Sequence, residues 1–130
     1  MREILFRGKT VCDGDWVYGG ITWNPSRKKF FIHTDWEEAK VIPETIGQYT
    51  GLTDKNGTKI FEGDILHAAQ GNFVVRWSES ICSFVAGEKE KIRPCMNSGT
   101  MKHCEVIGNI FDNPELIELD IHKAEAAESE

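Results

Sequence analysis

The chain has 130 residues, 40% of them hydrophobic and 28% charged, with a formal net charge of −6. That length builds one domain or two small lobes sharing a core, and no apolar run approaches the roughly 20 residues of a membrane span. The charge is uneven: residues 115–130 hold six acids and one base, whereas residues 1–114 hold 15 acids and 14 bases, so a near-neutral body gives no global drive toward polyanions. The opening MREILFRGKT carries charge at positions 2, 3, 7 and 9, which is not the pattern of a secretory signal, and a reducing cytoplasm is the expected compartment. The four cysteines, Cys12, Cys82, Cys95 and Cys104, form no CxxC pair, so a disulfide framework is not expected. Zinc held by Cys95, His103 and Cys104 is the sharper alternative. The spacing fits no common zinc module, and adjacent strand residues face opposite ways, so buried or idle thiols are preferred.

In chain order, residues 3–8 (EILFRG) read as a first strand. A DGD turn leads into WVYGGITW, a strand rich in aromatic and β-branched residues. NPSRKK breaks it as an exposed hairpin loop, and KFFIHT is the third strand. DWEEAK reads as one helical turn with Asp35 as N-cap. KVIPETIGQYTGL returns to β character, with Pro43 forcing a bend. Strands follow at 64–69, 73–78, 81–86 and 104–111. Residues 87–103 read as a long loop around Pro94 and Gly99. In DNPE, Asn113 caps and Pro114 suits a first helical position. The end of the chain is helix-prone but has no apolar stripe, and a flexible tail is expected. The Gly pair in YGGITW reads as a bulge or bend. Short strands and frequent Gly turns make the fold mainly β, with a β-rich N-terminal lobe over 1–50, a five-stranded SH3-like barrel over 51–114, and an acidic tail over 115–130.

Residues 50–66, TGLTDKNGTKIFEGDIL, hold two acidic Gly turns close together. A calcium loop starting at Asp54 would place Asn56 at position 3 and Thr58 at position 5. Lys59 would then fall where Gly is required and Ile65 where a bidentate Glu is required, so that reading fails. Chain reversal accounts for more. Asp54 can accept from backbone N–H groups two or three residues on, next to an Asn56-Gly57 hairpin signal. Gly57 takes the left-handed position, Gly63 does the same in FEGD, and Asp64 meets free donors at a strand start. Asp54, Asn56, Gly57, Gly63 and Asp64 are therefore read as structural, with no metal and no cofactor.

No Walker loop, GxGxxG after a strand, GxSxG or HExxH occurs. Glu62 and Asp64 would share a face if extended and serve as a hydrolase acid and base, but solvated turn acids are the commoner case. Cys82 with His67 or His103 is a nucleophile and base only if the fold brings them together. Nucleic-acid binding has better candidates. RKKFF places Arg27, Lys28 and Lys29 beside Phe30, with Trp23 nearby and Arg76–Trp77 as a second site. Against it stands a solvated loop ahead of a core strand. Trp16, Trp23, Trp36 and Trp77 are many for so small a chain; some are candidate anchors for a partner or a second copy, against the commoner reading of barrel aromatics as core.

The run Gln48–Leu66, QYTGLTDKNGTKIFEGDIL, resembles the signature of the YopX family of phage and prophage proteins. EVIGNIFDNPEL, Glu105–Leu116, resembles its second signature, and REILFRGK resembles its start. The resemblance covers residues 2–117. It implies a small β protein with an SH3-like barrel, encoded by a bacteriophage or a prophage of the bacterial host; it implies no activity and transfers no catalytic residue. The resulting expectation is a non-enzymatic binding or assembly module. Its partner would be another copy or a host or phage protein, with weak nucleic-acid binding as the alternative and no membrane role.

Overall fold

Alternating apolar residues and tight turns give ten short strands in the computed structural model, which describes residues 3–69, 71–87 and 97–117. They are β1 (Phe6–Lys9), β2 (Trp16–Asn24), β3 (Lys29–His33), β4 (Glu38–Lys40), β5 (Gly47–Thr53), β6 (Lys59–Phe61), β7 (Asp64–Ala68), β8 (Gly71–Ser78), β9 (Ser83–Ala86) and β10 (Glu105–Asn109). A 3-10 turn at Pro43–Thr45 precedes β5, and a short helix, α1 (Ser98–Met101), precedes β10. The protein is mainly β and holds two antiparallel sheets. The chain divides into two units, residues 1–51 and 52–130, and the division falls within β5.

The first sheet has the order β4-β3-β2-β1-β5-β6. β2 is its pivot. Residues Trp16–Gly19 pair with β1 and Gly20–Asn24 pair with β3, so the strand changes neighbour between its two glycines. Gly19 is required there by close approach: a Cβ at this position would stand 1.9 Å from the His33 carbonyl oxygen, whereas one on Gly20 would meet nothing within 4 Å. The chain after β4 curls back to β1. Thr10 and Val41 form an isolated bridge, and the Ile42 amide donates to the Lys9 carbonyl at 2.9 Å. Ile32 and Val41 are buried on this curled face. Arg7 is buried as well, its guanidinium 4.6 Å from the centre of the Trp16 ring, which replaces part of the lost hydration with attraction to the ring face.

The second sheet has the order β10-β7-β8-β9. Ile60, Leu66, Val75, Ala86, Met101 and Cys104 form its core, with Leu52, Ala68, Phe73 and Val106 packed against them. The five-stranded SH3-like barrel expected over 51–114 does not close. β6 is only three residues long and follows β5 in the other sheet, and the segment before β10 forms α1, so the described residues leave an open four-stranded sheet.

Two smaller expectations are also corrected. DWEEAK is not a helical turn. The Thr34 hydroxyl accepts from the Trp36 and Glu37 amides, and the Thr34 amide donates to the Glu37 carbonyl, which makes a tight reversal into β4. Part of the expected long loop is α1, capped by Asn97, whose side chain accepts from the Thr100 amide while Thr100 returns the contact. The helix start expected at DNPE is present, with residues 115–117 helical and the Leu116 amide donating to the Asn113 carbonyl at 3.1 Å, although the Asn113 side chain accepts from the Asn109 amide. Residues 88–96 and 118–130 lie outside the described residues, and with them the rest of that loop and most of the acidic tail. No described helix is long and apolar enough to cross a membrane.

Candidate functional site

Two turns at the ends of β3 each combine an exposed tryptophan nearby with a cluster of like charges. At its start is the β2–β3 hairpin. The Asn24 side-chain oxygen accepts from the Ser26 and Arg27 amides at 3.0 and 3.1 Å, which tightens the loop. Lys28 then takes a left-handed backbone, φ +55°, to bring the chain into β3. Arg27, Lys28 and Lys29 are all exposed. Trp23 and Phe30 are cross-strand partners with ring centres 4.8 Å apart, and Trp23 remains 48% exposed. Asn24 and Lys29 form the next pair, on the opposite face. The structure therefore brings Trp23 and Phe30 together and places the three bases around the tip, with Lys29 turned to the other side.

At the end of β3 is the Thr34–Glu37 turn. Trp36 is 94% exposed, and Asp35, Glu37 and Glu38 beside it are exposed acids. His33 Nδ1 lies 4.0 Å from Glu38 Oε2, across the β3–β4 pair. The sequence reads these residues as a helical turn and names Trp36 among possible anchors, without the turn that projects it. The available signal was Thr34 itself, a hydroxyl two residues before Trp36 that closes a local turn. Arg76 and Trp77 do not form a second patch of this kind. They are adjacent in β8 and face opposite ways, and Trp77 packs edge-on against its cross-strand partner Phe84 at 5.1 Å.

In the second unit the acidic turns are backbone junctions. Asp54 is buried. Its Oδ1 accepts from the Asn56 and Thr58 amides at 2.8 and 2.9 Å, and its Oδ2 accepts from the Val106 amide of β10 at 2.9 Å. Burial, the largest single influence on this carboxyl, pushes its pKa up. The three amide donors, with a smaller contribution from Lys55, outweigh burial and hold it below the ordinary value. Both oxygens point at N–H groups, an arrangement that suits an anion and not a cation site. Asn56 donates to Glu105 at 3.3 Å, and Gly57 takes φ +81°. In the second turn the Asp64 Oδ2 accepts from the Phe61 amide at 2.8 Å, and Gly63 takes φ +88°. Gly63 also donates to Val75 and accepts from Ile110, at 2.8 and 2.9 Å.

The remaining candidates are dispersed. Glu62 sits in the turn before β7 and is not extended, while Asp64 is enclosed at 2% exposure, so the two do not present a common strand face. Cys82 lies in the β8–β9 turn, where its thiol donates to the Glu79 carbonyl at 3.5 Å. His67 Nδ1 contacts Asn72 at 2.8 Å, and His103 is exposed after α1. Cys104 is buried, its thiol directed at the Thr100 carbonyl, and Cys95 is outside the described residues. Among the described residues no group of three or more His, Cys, Asp or Glu is placed to hold a metal ion.

A family model described as YopX protein matches residues 9–118. The chain belongs to the YopX family. Among solved structures, protein EF1440 from Enterococcus faecalis is similar at a TM-score of 0.62 and 22% identity, over 89% of this chain and 99% of that one. At that identity the likeness speaks to fold alone. A comparison with curated proteins finds no match. The two segments that resemble YopX signatures, Gln48–Leu66 and Glu105–Leu116, are the ones that Asp54 ties together. β7 and β10 pair between them, and the Lys55 amide reaches the Cys104 carbonyl at 3.0 Å, one residue ahead of the second segment. In this YopX-family chain those segments supply β6, most of β7 and β10, and Trp23, Trp36 and the two charged tips of the first unit lie outside both.

Proposed function

We propose that this YopX-family chain is a phage- or prophage-derived, non-enzymatic binding or assembly module that works in the bacterial cytoplasm. Its contact surface is the pair of turns at the ends of β3. The observation that carries this reading is Trp36, 94% exposed on a turn fixed by four hydrogen bonds of Thr34 and flanked by exposed acids. The turn fixes the backbone that carries the ring, and a ring left in water gains the full benefit of burial when a partner covers it. The partner class is a protein, either of the host or phage or another copy.

A second reading has its own observation. The Trp23–Phe30 pair sits beside three exposed bases, which suits stacking of bases in a single strand. Capture of tagged protein from a bacterial lysate, with and without nuclease, separates the two. The protein reading expects a partner that nuclease does not release. Complete release by nuclease overturns it in favour of nucleic acid. For that second reading, oligonucleotide binding has to weaken steeply as salt is raised.

A further inference from the structure

The two turns are complementary to each other. The β2–β3 tip carries three exposed bases, Arg27, Lys28 and Lys29, beside a half-exposed aromatic pair. The β3–β4 turn carries three exposed acids, Asp35, Glu37 and Glu38, around an exposed Trp36. Five residues of β3 hold them at opposite ends, roughly 17 Å apart. That length, and the direction of each turn, prevents the acidic tip from reaching the basic tip of its own β3. A second copy has no such restriction.

We propose that copies of this chain associate head to tail, the acidic Trp36 turn of one docking on the basic Trp23–Phe30 hairpin of the next. The inference rests on the binding-module reading and names its partner as the chain itself. The Trp36 ring supplies the apolar anchor, against Phe30 and Trp23 or the flat Arg27 guanidinium. The acids around it meet bases, so the rim is favourable in this orientation and repulsive when two like tips meet. Such a contact uses different surfaces on the two copies. It closes into a ring if the rotation per step divides a full turn, and otherwise extends as a filament.

The test is sedimentation velocity on the purified, nuclease-treated full chain at rising concentration, in low and high salt. Wild type is expected to grow beyond single-chain mass at low salt and to dissociate as salt screens the tips. Trp36→Ala is expected to weaken association about 30-fold or more. One charge variant is Arg27→Glu with Lys28→Asp and Lys29→Glu, in which Asp suits the left-handed position. The other is Asp35→Lys with Glu37→Lys and Glu38→Lys. Each is expected to be a monomer alone, with the parent's far-ultraviolet spectrum. Mixing them restores association, because the untouched acidic tip of the first meets the untouched basic tip of the second. A wild type that stays monomeric at every concentration overturns the inference, as does a mixture that stays monomeric while wild type associates. If wild type is monomeric yet the tip variants lose a nuclease-resistant lysate partner, only the head-to-tail contact falls. If they also keep that partner, the assignment of the contact surface to the two turns falls with it.

Discussion

Asp54 shows what a single side chain does in this fold. One carboxylate accepts two amides from its own turn and one from a strand 52 residues away, and so it fixes the turn and the strand together. Replacing it by Ala leaves three amides without their acceptor, at a cost of roughly 3 kcal/mol, measurable from urea midpoints. The pH dependence follows from the direction of its shift. A carboxyl whose folded pKa is held down contributes fully above its unfolded value, near 3.9, and loses that contribution as pH falls through the folded value. Wild type should therefore lose more stability between pH 7 and pH 3 than Asp54→Asn does. Equal losses would show that the carboxylate's charge is irrelevant. Gly57→Val and Gly63→Val should each cost roughly 1 kcal/mol or more, since both positions need positive φ. Half of Asp54's role was legible in the sequence, because an acid before Asn-Gly bonds locally. The bond to Val106 was not, because no local pattern encodes a partner so distant in the chain.

At the scale of elements, turns decide more than strands. Two hairpins place a non-glycine residue in the left-handed region, Lys28 at φ +55° and Cys82 at φ +51°. Lys28→Gly and Cys82→Gly should each raise stability by about 0.5 kcal/mol, because relief of the Cβ contact exceeds the added freedom of the unfolded chain. Unchanged or lowered melting temperatures for both would contradict that balance. The two glycines of β2 should behave differently. Gly19→Ala puts a Cβ against the His33 carbonyl and should cost at least about 2 kcal/mol, while Gly20→Ala should fall within about 0.5 kcal/mol of the parent. A bend was legible in that Gly pair, but not which glycine enforces it, since that depends on the approach of β3. The longer strands were legible from alternation and β-branched residues, with ends shifted by a few positions, while the three-residue strands β4 and β6 were not. DWEEAK misled because its acids and Asp35 match a helix start, and the preceding Thr34 competes for the same amides. The closed barrel misled because counting strands does not reveal which sheet a three-residue strand joins.

Across the whole molecule, the separation of roles is spatially clear. The segments that resemble the family signatures supply the backbone junctions of the second unit, and Trp36, the most exposed of the large hydrophobic side chains described, sits with the two oppositely charged tips in the first unit, outside those segments. The basic cluster was legible as RKKFF, but the exposure of Trp36 was not, because a tryptophan's burial depends on what folds over it. The formal charge of −6 hides a pair of opposite tips of equal count, and a net value averages them away. The central claim is that these tips make the contacts. Its most direct measurement compares nuclease-resistant capture by wild type, by Trp36→Ala, and by Lys55→Ala with Lys59→Ala, exposed lysines of the second unit that serve as a control. The account predicts that the partner is kept by wild type and the lysine control and lost by Trp36→Ala. Retention by Trp36→Ala at wild-type level would contradict it.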